Sequence, residues 1–163
     1  MLRKRQLIPP LSIHTADGRT ARAWDFKQKK NLVIAFLDTH CGPCDEFLRA
    51  LALQAAALRE KDAVALVVFL EQPSRQITDG LPAEIIVGSD MPGRVAREFL
   101  GEDAFSARGF VHGGVFVTDR YGELSALWAI ERHQFPPIAA ILSALDYVQM
   151  ACDGCGTPLW SAE

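Results

Sequence analysis

Residues 32–37 read Leu-Val-Ile-Ala-Phe-Leu, and four positions later comes Cys41-Gly-Pro-Cys44, followed at once by an amphipathic stretch. A short apolar run rich in β-branched and aromatic side chains, bounded by Lys-Lys-Asn and by Asp38, predicts a strand buried on both faces, as in a parallel sheet. From 45 to 60, Phe47, Leu48, Leu51, Ala52, Ala55 and Leu58 recur at helical spacing, while Asp45, Glu46, Arg49, Arg59 and Glu60 lie elsewhere. This predicts one Ala-rich helix over 45–60. The two cysteines therefore stand where a buried strand hands over to a helix.

That position gives the pair its chemistry. Unpaired backbone N–H groups and the helix dipole at a helix N-terminus favour an anion, so a thiolate at Cys41 is stabilised. The two intervening residues let Cys44 reach back and close a small ring within the first turn. Pro43 has no N–H to lose there and its fixed φ suits the turn. On this reading Cys41 attacks and Cys44 resolves. Half of a zinc site, or two inert cysteines, are the competing readings of the same tetrad.

The remaining segments alternate in type. Residues 11–13 and 20–23 predict a hairpin around Asp17-Gly18. Residues 63–70 and 84–87 predict strands, with a loop over 71–80 between them. A helix is expected in MPGRVAREFLG, and a strand pair over 115–118 and 124–130 with a turn at Asp119-Arg-Tyr-Gly122. An amphipathic helix over 134–150 closes the series, its Pro136 and Pro137 tolerated in the first turn. Strands alternating with helices argue for an α/β sheet covered on both sides. We divide the chain into a domain over 1–150 and a Cys-containing tail over 151–163.

Composition removes several classes. Seventeen Lys and Arg against 20 Asp and Glu give a net charge of −3, so no nucleic-acid partner is expected. Four cysteines in 163 residues are too sparse for a stapled scaffold. The basic N-terminus lacks an apolar stretch behind it and no run is long enough to span a membrane, so we expect a cytoplasmic protein, unless a leader has been removed.

The segment KNLVIAFLDTHCGPCDEFLRAL resembles the active-site region of the thioredoxin superfamily. The order of elements, with PPLSIHTADGRTARAWDF before it and GGVFVTDRYGEL after it, resembles the branch shared by thioredoxin-like disulfide reductases and peroxiredoxins, over roughly residues 9–145. The resemblance implies a central mixed sheet flanked by helices, extended here by the N-terminal hairpin and the C-terminal tail. It implies thiol–disulfide oxidoreduction, with Cys41 the exposed nucleophile and Cys44 its buried partner. The implied partners are a protein or small-molecule disulfide and an external thiol reductant, with no organic cofactor.

Three positions depart from the family pattern. Where members carry a cis-proline, this chain has His112-Gly113-Gly114, and glycine would leave that space open. His40 replaces the usual tryptophan before the nucleophile, and can pair with its thiolate. The buried acid six residues before the nucleophile is Ala35, leaving Asp38 or Glu46 to take the proton of Cys44. The peroxiredoxin pattern Pro…Thr-x-x-Cys is not met either. With Cys44 as peroxidatic cysteine, Cys41 falls at the Thr and Leu37 at the Pro, with Thr39 and Arg108 as substitutes. A peroxiredoxin-like thiol peroxidase is nonetheless the alternative, since an exposed thiolate is oxidised by peroxide.

Other residues are read more plainly. His112 beside its glycines lines a substrate groove, whereas His14 and His133 have no local partner that suggests chemistry. Asp119 hydrogen-bonds its own turn, Asp25 caps or closes one, and Trp24 and Trp128 are packing residues. Cys152-Asp-Gly-Cys155 resembles one knuckle of a zinc ribbon, with two ligands to be completed across a homodimer or by the first pair. It reads equally as a second redox pair, or as a local disulfide without function. A third functional alternative combines these features: a catalytically weak binding or assembly module whose tail binds zinc.

Overall fold

In the computed structural model, which describes residues 1–91, 93–106, 109, 110 and 112–150, two strands have all seven residues buried: β3 (Asn31–Leu37) and β4 (Ala63–Phe69). They pair in parallel, Leu32 opposite Val64 through Leu37 opposite Phe69. Such strands must be covered on both faces, and alternation of side chains sorts them into two cores. Val33, Ala35, Leu37, Ala65, Val67 and Phe69 point to one face. Leu32, Ile34, Phe36, Val64, Leu66 and Val68 point to the other.

The sheet grows outward from this centre. β5 (Ile85–Ser89) continues it in parallel beside β4. The hairpin of β1 (Ser12–Thr15) and β2 (Thr20–Arg22) adds to β5, with β1 antiparallel to it. On the opposite side β8 (His112–Thr118) runs antiparallel to β3, and β9 (Leu124–Glu131) antiparallel to β8. The order is β2-β1-β5-β4-β3-β8-β9, a mixed sheet. Two-residue strands β6 (Phe105–Ser106) and β7 (Gly109–Phe110) form a separate small ladder that the sequence did not announce.

Helices α1 (Gly42–Ala52), α2 (Ala55–Glu60) and α5 (Ile138–Met150) supply Phe47, Leu48, Leu51, Leu58, Ile141, Leu145 and Val148 to the first core. The single helix expected over 45–60 is thus two. At the join the Gln54 amide bonds the carbonyl of Leu51, three residues back, which tightens the ladder and leaves Leu53 83% exposed. Helix α5 begins after Pro136 and Pro137, not around them. A single helical turn, α3 (Arg75–Thr78), interrupts the loop expected over 71–80.

Helix α4 (Arg94–Leu100) covers the second face with Val95, Ala96, Phe99 and Leu100. Phe36, Phe99 and Phe116 meet there with ring centroids 5.2–5.9 Å apart, two of the three pairs edge-on. The start of α4 is fixed by buried Asp90, whose Oδ2 accepts the Ala96 amide at 2.8 Å. The N-terminal arm is strapped down by bonds from the Leu2, Arg5 and Ile8 amides to the carbonyls of Phe99, Leu124 and Gly122. Trp24 is 40% exposed with the Lys27 ammonium over its ring, so it is not the packing residue expected. Among the described residues no helix is long and apolar enough to cross a membrane. The tail, with Cys152 and Cys155, lies outside the described residues, as does Arg108.

Candidate active site at the Cys41–Cys44 disulfide

Strand β3 ends at Leu37, and three residues carry the chain over the sheet edge to Cys41, the N-cap of α1. Extended at φ −130°, Cys41 leaves its carbonyl to accept the Cys44 and Asp45 amides at 3.0 and 3.1 Å. Its sulfur accepts from the Cys44 amide at 3.2 Å, the role a serine or aspartate oxygen usually fills. Pro43 stands in the first turn, where no N–H is missed. The two sulfurs are joined as a disulfide, with the Cα atoms 5.1 Å apart.

Both cysteines are buried. Cys41 is 7% and Cys44 3% exposed, so the nucleophile expected to be exposed is only the more accessible of two covered sulfurs. One contact on the pair comes from a histidine with no chemical signal in its sequence surroundings. His133 places Nδ1 3.1 Å from the sulfur of Cys41, across 92 positions of chain. Nothing near His133 in the sequence signals this, because β9 and its following turn create the contact.

The turn is unusual in its backbone. Arg132 and His133 have φ of 50° and 60°, two consecutive non-glycine residues in the left-handed region, each at a cost of roughly 1–2 kcal/mol. The Gln134 amide closes the turn on the Glu131 carbonyl. Phe135 then stacks on Phe47 of α1, and Pro136 is buried. Packing on both sides thus holds the strained conformation in place.

A hollow of about 80 Å³ opens beside the disulfide, lined by Phe36, Asp38, Cys44, Gly113, Ile130, Arg132, His133 and Phe135. Of the two carboxylates considered for the Cys44 proton, Asp38 lines this hollow and Glu46, exposed on α1, does not. His40 is exposed, and its amide donates to Asp38 Oδ1 at 3.3 Å. The imidazole on Cys41 is that of His133. His112 is placed by its backbone in β8, opposite Glu131.

The two glycines do not keep a space open. A Cβ at Gly113 would lie 2.7 Å from the Phe36 carbonyl oxygen, and one at Gly114 would lie 2.7 Å from both Leu100 Cδ2 and Phe116 Cε2. Close approach of β8 to β3 and to the Phe cluster explains these residues. The glycine pair therefore brings the strand against the dithiol's supporting strand.

Donor atoms of Cys41, Cys44 and His133 all lie within 4.8 Å of one another. With the disulfide reduced, two thiolates and an imidazole form a soft donor set suited to zinc. Zinc is one of the sequence readings of Cys152 and Cys155, which lie outside the described residues. The cluster able to hold it among the described residues is at the first pair.

Scans of protein-family models and of curated proteins find no match to this chain. Solved structures do match. AhpC of Mycobacterium tuberculosis aligns over 93% of this chain and 97% of its own, at TM-score 0.74 and 16% identity. A Chlorobium tepidum protein assigned as the thiol:disulfide interchange protein DsbE aligns over 89% and 99%, at TM-score 0.66 and 21% identity. The chain has a thioredoxin-like fold. The reduced 2-Cys peroxiredoxin of Plasmodium vivax shares this thioredoxin-like fold at TM-score 0.72 and 14% identity, over 90% and 96% of the two chains. At such identities the likeness is one of fold.

Proposed function

We propose that this protein is a thiol–disulfide oxidoreductase whose Cys41–Cys44 pair cycles between disulfide and dithiol. The observation that carries the reading is the disulfide at the N-terminus of α1, where Cys41 caps the helix and a backbone amide faces its sulfur. Donation to sulfur and the helix terminus both favour the thiolate, which is the attacking species. Cys41 attacks an oxidised substrate and Cys44 then displaces the bound product, closing the pair. An external thiol returns it to the dithiol.

The comparisons weigh toward a second reading, in which the oxidant is a hydroperoxide. AhpC of Mycobacterium tuberculosis and the 2-Cys peroxiredoxin of Plasmodium vivax match at TM-scores of 0.74 and 0.72, above the 0.66 of the DsbE-like protein. In that case Cys41 thiolate cleaves the O–O bond, becomes a sulfenic acid and releases an alcohol or water. Condensation with Cys44 then yields the same disulfide and one water. Both routes use the same two sulfurs; they differ in the bond that Cys41 breaks, S–S or O–O, and in what Cys44 then displaces from Cys41, a thiolate or water.

Substitution of each cysteine in the full chain separates them. Cys44→Ser, reduced and mixed with a small aromatic disulfide, is expected to accumulate a mixed disulfide at Cys41, visible by mass spectrometry. A chain that traps nothing at Cys41 and transfers no electrons to the disulfide would sink the exchange reading. Thiol-driven consumption of hydrogen peroxide that survives Cys44→Ser and is abolished by Cys41→Ser promotes the peroxidase.

A further inference from the structure

We propose that His133 is the acid–base residue of this dithiol: it holds the proton released by Cys41 and hands it to the departing sulfur or oxygen. The inference deepens the proposed function and rests on it for the reaction steps, though the contact does not. Where thioredoxins place a buried acid, strand β3 has Ala35, wholly buried and without a proton to exchange. The imidazole of His133 lies within hydrogen-bond distance of the pair, with Nδ1 at 3.1 Å from the sulfur of Cys41. Its donor atom also lies within 4.8 Å of the sulfur of Cys44. The placement is held by two left-handed residues and by the Phe135–Phe47 stack, so a strained turn is kept where it delivers one side chain to one sulfur.

The protons and electrons balance through this residue. In the proposed cycle the reduced pair starts with the Cys41 proton on His133 and with Cys44 as a thiol. Attack on a substrate disulfide forms a Cys41–substrate S–S bond and breaks the original one, and the expelled thiolate takes the His133 proton. His133, now neutral, accepts the proton of Cys44. The Cys44 thiolate attacks Cys41, the intramolecular disulfide forms, and the second leaving thiolate takes that proton from His133. Two electrons and two protons have passed to the substrate, leaving a neutral imidazole on the disulfide. An external dithiol or small thiol reverses the sequence.

Two other charged groups face His133 in the hollow: Asp38, just past β3, and Arg132, its neighbour in the turn. The test reads the thiolate and needs no substrate. The full chain, reduced, is alkylated with iodoacetamide from about pH 4 to about pH 9, and labelling at Cys41 is quantified by peptide mass spectrometry. His133→Gln is expected to slow Cys41 labelling roughly tenfold near pH 6, a displacement of about one pH unit. His14→Gln, a histidine on β1, serves as the control and is expected to leave the Cys41 profile unmoved. Superimposed wild-type and His133→Gln profiles overturn the proposal, and so does an equal displacement produced by His14→Gln. Should His133→Gln not fold, ring resonances of His133 in the wild-type chain decide: titration curves that superimpose in the oxidised and reduced protein overturn it equally. A His133-dependent profile without turnover would remove the proposed function and leave this inference standing. Turnover with superimposed profiles would do the reverse.

Discussion

Phe135 lies nearly parallel to Phe47, their planes 16° apart and their centroids separated by 4.6 Å. One ring belongs to the turn that carries His133, the other to the helix that carries Cys44, so the stack joins the two halves of the site. Phe135→Ala removes a half-buried aromatic and its partner contact, for an expected loss of about 2 kcal/mol in urea unfolding. Because His133 is only two residues away, the same variant is expected to move the pH profile of Cys41 alkylation toward that of His133→Gln. A loss of stability with an unmoved profile would show that the stack supports the fold but does not position the imidazole.

Gly113 is a second point where packing and chemistry meet. Its ideal Cβ would stand 2.7 Å from the carbonyl oxygen of Phe36, a backbone atom that cannot swing aside. Gly113→Ala is therefore expected to destabilise the protein by roughly 1–3 kcal/mol, as other overpacked sites do. It should also speed amide exchange at the C-terminal end of β3, next to the dithiol. A variant as stable as the wild type would mean that β8 moves off β3 at little cost.

How far the sequence could be read follows from the range of the forces involved. The runs at 32–37 and 63–70 declared buried strands because a strand covered on both faces needs an apolar side chain at every position. Cys41 and Cys44 could be placed because their junction is local, lying within one turn of a helix start. His133 could not, since its partner is 92 residues away and an isolated exposed histidine carries no pattern. Gly113 and Gly114 drew attention for the proline they lack, but their actual constraint, contact with Phe36, Leu100 and Phe116, depends on sheet register. The break at Leu53 was hidden because Leu51 and Leu58 fit one helical face with or without it.

Asp90 offers a test of the second core. Its carboxylate is buried and accepts the Ala96 amide at 2.8 Å, ahead of the helix that delivers Phe99 to the aromatic cluster. Asp90→Ala leaves that amide without its acceptor and is expected to cost about 1–2 kcal/mol by chemical denaturation. Asp90→Asn keeps an oxygen in place and is expected to lose less. Equal losses in the two variants would assign the role of Asp90 to its charge and not to the amide bond.

Asp119 gives the pH dependence a sign. Burial holds its carboxyl above the usual carboxylate range, against the lowering effect of the Glu123 and Tyr121 amides, which donate to Oδ1 at 2.9 and 2.8 Å. A carboxyl raised in the folded protein binds its proton more tightly there than in the unfolded chain. Its contribution to stability is therefore greatest below the unfolded value and is lost as pH rises through the folded one. Asp119→Asn retains an oxygen for the two amides and carries no charge to bury. Relative to wild type, the variant is expected to gain stability between acid and neutral pH, measured as the difference in urea midpoints at the two ends. If the variant instead falls behind the wild type as pH rises, the ionised carboxylate is the better partner for the turn, and amide donation outweighs burial at this site.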